Sequence, residues 1–196
     1  TININGVKRI VNTETKEEVD LFASIEKGGF DAAVKDIVSK APSPTAKAIA
    51  TAISNRIDAL RAVGFEFTLR VTDEGMRLAN ARGASSMKPA GLGAATKIEI
   101  TLNHPSNGDQ SGTGWFTVTH ELAHAATQAA IKLSPEGMAA RKLTALFNDA
   151  VREFNTRAKA GILTDFEKKI YNRSVNALES PDEILAWGLT NEEMQK

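Results

Sequence analysis

With 196 residues, 42% of them apolar, the chain can bury one sizeable core and is short for two. Lys and Arg total 24, Asp and Glu total 24, and no long charge run occurs, so binding to nucleic acid or to a membrane through bulk positive charge is not expected. There is no cysteine, which rules out disulfide staples and thiolate metal sites, and no apolar run reaches the roughly eighteen residues of a membrane span.

The opening Thr1-Ile2-Asn3-Ile4-Asn5-Gly6 lacks the basic and apolar regions of a signal peptide. The first residue is not Met and Thr190 to Lys196 read as a helix beginning, so a domain cut from a longer chain is expected. Residues 1–12 read as a short strand or an ordered arm. From Thr13 the pattern turns helical, with Val19, Leu21, Phe22 and Ile25 in one stripe and Gly28-Gly29 as its stop. A second short helix is predicted from Phe30 or Asp31 to Lys40. A third begins with Ser43 as cap and Pro44 at the first position, carries Ile49, Ile53, Ile57 and Leu60, and ends at Gly64.

Phe65 to Val71 alternates apolar and polar residues, the mark of a half-buried strand. Residues 81–95, with Gly83, Pro89, Gly91 and Gly93, read as a loop; Gly91-Leu92-Gly93 lacks the third glycine and following helix of a dinucleotide fingerprint. Lys97 to Leu102 is the second alternating strand, and a polar loop from Asn103 to Gly114 follows it. Asn107 and Asp109 in that loop lack the spaced acidic ligands of a calcium site. A helix from about Trp115 to Lys132 is apolar on nearly every side and should therefore be buried. Three more helices are expected. One is capped at Ser134-Pro135 with an apolar face from Ala139 to Phe154, one opens on the capping box Thr164/Glu167, and one opens at Ser180-Pro181-Asp182-Glu183. The fold class is α+β, mainly helical with a small sheet, with residues 1–64 as an N-terminal helical part and 65–196 as the part bearing the chemistry. No repeat or linker divides the chain.

The chemistry centres on Thr119-His120-Glu121-Leu122-Ala123-His124, an H-E-x-x-H motif. On a helix, His120 and His124 stand one turn apart on one face, where two neutral imidazoles can share a zinc ion. Glu121 lies beside them as a candidate general base. Zinc needs a third protein ligand and leaves a fourth position for water. No histidine follows the motif, so a later carboxylate is expected, from Glu136, Asp149, Glu153, Asp165, Glu167, Glu179, Asp182 and Glu183. Glu183 stands out at the first turn of an apolar helix, although Ser180-x-x-Glu183 is also a capping box; Glu179 is second. His104, in the loop after the second strand, is a candidate substrate or oxyanion contact, or a plain solvated loop residue. The strand Ile98 to Leu102, preceding the motif, is expected to hold an extended peptide.

Together, His-Glu-Leu-Ala-His and the later Ser-Pro-Asp-Glu-Ile-Leu-Ala-Trp-Gly-Leu-Thr-Asn resemble a gluzincin-type zincin domain. The second segment is similar to the N-P-D-E-F-L-A-E type of signature found in zincin-like domains of large phage-encoded and virion-associated proteins, and more distantly in the catalytic domain of anthrax lethal factor. The matching residues are His120, Glu121 and His124, then Pro181, Asp182, Glu183, Leu185 and Ala186. The resemblance implies a zinc metallopeptidase in which Glu183 completes the ligand set with His120 and His124. It also implies a peptide or protein substrate, which can be the chain itself or a phage or host protein, and a virion or a host cytoplasm as the setting. Two departures stand out: Trp187 replaces the second acid of the signature, and Asn176 stands where relatives carry a tyrosine. The single tyrosine, Tyr171, is the remaining candidate oxyanion donor, against the simpler role of a packing ring. The alternative from another class is a phage or virion structural protein whose zinc only staples the fold, with Tyr171 or His104 filling the fourth position.

Overall fold

The computed structural model describes residues 19–73, 82–88, 95–106, 111–172, 175–191 and 194, with the backbone of two short strands near the N-terminus. The expectations for residues 13–18, for Pro89, Gly91 and Gly93, and for Asn107 and Asp109 lie outside the described residues. Among the described residues the protein is α+β and mostly helical, with six helices and a three-stranded sheet. The N-terminal stretch is a hairpin, β1 (Ile2–Ile4) against β2 (Val7–Arg9). The chain forms two compact units, Thr1–Ala129 and Ala130–Lys196, and the division falls inside the helix that carries the histidines.

In the first unit, the two short helices expected on either side of Gly28-Gly29 are one element, α1 (Phe22–Ser39). It leaves helical geometry only at Gly29, whose φ of 58° a residue with a side chain rarely adopts. Helix α2 (Pro44–Ala62) starts as its sequence predicts, with the Ser43 hydroxyl accepting from the Ala46 N–H at 3.1 Å and Pro44 in the first turn. Both helices pack on β3 (Phe65–Thr72), which buries Phe65 and Phe67 and exposes Glu66 and Thr68. Phe30 stacks on Phe67 with ring centres 5.4 Å apart.

The segment read as a loop contains a strand, β4 (Gly83–Lys88). Its Gly-Ala-Ser-Ser run carries almost no β preference. It is a strand because β5 (Thr96–Asn103) supplies an antiparallel ladder from Gly83↔Leu102 to Lys88↔Lys97. β5 also pairs with β3, in parallel, so the order is β3-β5-β4 with β5 in the middle. One face of β5 sends Ile98, Ile100 and Leu102 into the core at zero exposure. On the other, Glu99 bonds Lys88 of β4 at 2.9 Å and pairs with Arg70 of β3 at 3.5 Å, tying all three strands. The Lys88 hydrogen bond, which outweighs the opposing effect of burial, holds the Glu99 carboxyl below its ordinary pKa.

The backbone after β5 fixes where α3 (Trp115–Leu133) begins. Asn103 N–H donates to the Arg82 carbonyl and Gly112 N–H to the Asn103 carbonyl, both at 2.9 Å. A Cβ on Gly112 would run into the Arg82 carbonyl oxygen and stand 2.8 Å from the Asn103 nitrogen, so only glycine fits between the two chains. Leu21 N–H then reaches the Thr113 carbonyl at 2.9 Å, Trp115 N–H the Val19 carbonyl at 2.8 Å, and the buried Trp115 indole the Ile37 carbonyl at 2.8 Å. Five hydrogen bonds thus lock the entry to α3 against α1 and the sheet.

In the second unit, α4 (Met138–Lys159) has its cap at Gly137, three residues later than the predicted Ser134. Ser134 to Gly137 form a turn, closed by Gly137 N–H on the Ser134 carbonyl at 3.0 Å, and Gly137 is a cap without a side chain. None of the residues of α4 is fully buried; Leu143, Phe147, Val151 and Phe154 are half-covered and Leu146 is 53% exposed. Helix α5 (Asp165–Tyr171) carries the complete capping box of Thr164 and Glu167. α6 (Pro181–Thr190) ends at Thr190, so that residue closes a helix and does not start one. In α5, burial pushes the Glu167 carboxyl up, but the Thr164 N–H and the Arg157 guanidinium at 2.8 Å outweigh it and hold it below its ordinary value.

Two expectations follow. Gly112→Ala should cost about 3 kcal/mol by overpacking against backbone that cannot withdraw, measured by urea unfolding. Glu167→Ala should cost about 1 kcal/mol at neutral pH through loss of the box. Because the folded-state pKa is depressed, that contribution is full above the unfolded-state value and vanishes as pH falls through the folded one. Unfolding free energies of variant and parent should therefore converge in acid.

Candidate metal centre

The pattern of α3 buries it on almost every side: Val118, Leu122, Ala125 and Ala129 are at most 1% exposed. Within that apolar helix His120 is 8% exposed, Glu121 6% and His124 5%. Helical spacing turns both imidazoles the same way, and their Nε2 atoms stand 3.0 Å apart, with ring centres at 4.7 Å and planes nearly perpendicular. The ring of Phe116, one turn earlier, stacks on His120 at 5.9 Å. On a tetrahedral zinc with bonds of about 2.05 Å, two nitrogen ligands lie about 3.3 Å apart. The pair is therefore already at chelating separation.

Glu183 sits in the first turn of α6. Ser180 caps that helix by accepting from the Glu183 backbone N–H at 3.3 Å, and its hydroxyl donates to Asp182 Oδ1 at 2.5 Å. This cap differs from that of α5, where the glutamate side chain returns to the cap N–H. Among the described residues, His120, His124 and Glu183 are the one group of three His, Asp or Glu side chains that could hold a metal ion. Two imidazole nitrogens and a carboxylate oxygen, with no sulfur, are a donor set that can hold a metal ion.

The other candidates fall elsewhere. Glu167 is held by its capping box and Arg157, Asp149 by Arg152 at 2.8 Å, and Asp165 by Lys168 at 3.0 Å. Glu136, Glu153 and Glu179 do not join the group. His104 is engaged locally: its Nδ1 accepts from the Ser106 N–H at 3.1 Å and lies 2.8 Å from the Ser106 hydroxyl, and its ring meets Phe22 edge-on at 4.7 Å. Tyr171, 62% exposed, lies at the end of α5 with its ring 6.4 Å from Phe154 and lines a shallow apolar cleft of the second unit. The two departures from the zincin signature meet each other, the Trp187 indole donating to Asn176 Oδ1 at 2.9 Å.

The peptide-holding role expected of Ile98–Leu102 is overturned. β5 is paired along both edges, so its main chain has no ladder to offer a substrate. The strand beside the motif is the unforeseen β4. Gln128 Nε2, one turn beyond His124, donates to Ser85 Oγ at 3.2 Å, and Gly83 backs onto Glu121. Among the described residues nothing pairs with the outer edge of β4. The sequence signal for it was the set of small residues next to a strand, which reads equally as a loop.

Comparison with family models, with curated proteins and with solved structures returned no match. The candidate site therefore rests on its own geometry. His120→Ala or His124→Ala should abolish uptake of one equivalent of divalent metal in equilibrium dialysis. With parent protein, free zinc at about one hundred times its Kd should add about 2.7 kcal/mol to the unfolding free energy, and chelator should remove it.

Proposed function

We propose that the chain is a zinc-dependent peptidase of the H-E-x-x-H class, with a zincin-like, gluzincin-type arrangement of ligands. The observation that carries this reading is the His120–His124 pair at chelating separation, with Glu121 in the same buried helix and backed by an edge strand. His120 and His124 would hold zinc through Nε2, and Glu183 through a carboxylate oxygen. The likeness of Ser180 to Asn191 to the zincin signature supports the third ligand, and the absence of cysteine supports a nitrogen and oxygen site.

The chemistry that zinc supplies when bound is Lewis-acid polarisation of the scissile carbonyl and acidification of the attacking water. Glu121 would act as general base, accepting a proton from the attacking water on its carboxylate and handing it to the leaving amine. The burial of Glu121 keeps bulk water from competing for that proton. The outer edge of β4 offers main-chain N–H and C=O groups to an extended peptide, and its Gly-Ala-Ser-Ser run keeps that edge low and unobstructed. The substrate is a peptide or protein, either the parent chain or a phage or host protein.

One observation favours a second reading. Both imidazoles are more than nine-tenths buried, as in sites where a metal only staples a fold. Glu121→Gln separates the two. In a peptidase the variant should keep one zinc per chain and lose hydrolysis of a peptide library by at least about a hundredfold. A stapled fold would hydrolyse nothing in either form.

A further inference from the structure

Gly83 opens β4, where glycine is disfavoured because it adds no side chain to the sheet and loses more chain entropy than any other residue. Its backbone does not require glycine: φ is positive at Gly29, Gly64 and Gly161, and not at Gly83. A turn therefore does not explain it. Space does. A Cβ at Gly83 would stand 2.7 Å from Cγ of Glu121, 3.0 Å from its Cδ and 3.0 Å from its Oε1. No ordinary contact with a Cβ is that short, and the atoms met run the length of the glutamate side chain. The buried carboxylate lies along the bare backbone of the strand.

That backbone cannot easily give way. Gly83 pairs with Leu102, which is fully buried. The preceding residue, Arg82, receives the Asn103 N–H at 2.9 Å and lies against Gly112, where a second close approach leaves no slack. About two turns further along α3, the Gln128 to Ser85 hydrogen bond fixes the spacing of helix and strand from the other side. Glu121 thus faces a rigid wall at Gly83, and a side chain there would displace the glutamate and not the strand.

We infer that Gly83 is a positioning residue for Glu121: by lacking a side chain it lets the first residue of β4 hold the carboxylate in place beside the two histidines. This rests on the peptidase reading for its consequence in turnover, but the steric coupling stands apart from it. The three atoms nearest a Gly83 Cβ all belong to Glu121 and none to His120 or His124, so metal uptake should be far less sensitive than Glu121 to a methyl group at this position.

The test is a cycle of Gly83→Ala, Glu121→Ala and the double variant, each zinc-loaded. Gly83→Ala alone should lower Tm by about 5 °C through overpacking. In the Glu121→Ala background, where the obstructed side chain is gone, the same change should leave Tm unaltered. Zinc stoichiometry should stay at one in all four proteins. Against a peptide the parent cleaves, Gly83→Ala should reduce kcat about a hundredfold with KM within about twofold, the pattern of a misplaced group and not of a lost substrate contact. Gly83→Ala with the kcat of the parent, or an equal loss of Tm in both backgrounds, overturns the assignment. A parent that cleaves no peptide would count against the peptidase reading, and the Tm cycle would still decide whether Gly83 positions the carboxylate.

Discussion

Placing two imidazoles and a carboxylate in the middle of an otherwise apolar, buried helix is the constraint on which the first unit depends. Burying such groups is costly unless each meets a partner of the right chemistry, and the cost grows as water is excluded. Helix α3 must therefore be held in one setting, so that His120, Glu121 and His124 keep the partners that burial demands. The structure answers with an entry fixed by main-chain bonds from Val19, Leu21, Asn103 and Gly112 and by the Trp115 indole on Ile37. The rotational setting of the helix is decided before its polar residues are reached, and the metal chemistry proposed for them inherits that setting.

The edge strand adds a second level of control. β4 is held by β5 and by the Lys88–Glu99 pair, and it contacts the helix at the two places that matter, Gly83 and Ser85. In the peptidase reading the same backbone would therefore serve the substrate on its outer side and the general base on its inner side. Supporting the general base and the substrate from one strand is a compact way of keeping reacting groups in register.

The parts of this arrangement that the sequence revealed were those with a strong period or a cap. Helices α2 and α5 begin where Ser43 and Thr164 predict, β3 and β5 match their alternation, and the burial of α3 follows from its all-round apolar pattern. β4 was hidden because its strand character comes from the neighbour it pairs with and not from its own residues, as sheet preferences often do. α4 carries the apolar stripe its sequence shows, and its packing against α6 and the end of α5 covers that stripe only halfway. The histidine pair was legible from a spacing of four. The role of Gly83 was not, since a glycine explained by a close approach looks the same in sequence as one explained by a turn.

The order of strands has a bearing on how the chain reaches this structure. β3 and β4 never pair with each other; each is joined to the sheet only through β5, the last of the three along the chain. During synthesis both outer strands therefore emerge without a partner, and the ladder that turns Gly83–Lys88 into a strand exists only after Asn103 has left the ribosome. The parallel β3–β5 pairing spans about thirty residues, a loop closure whose entropy must be met before any hydrogen bond rewards it. The sheet can therefore close only once its middle strand is available, and its closure also seats the wall behind Glu121.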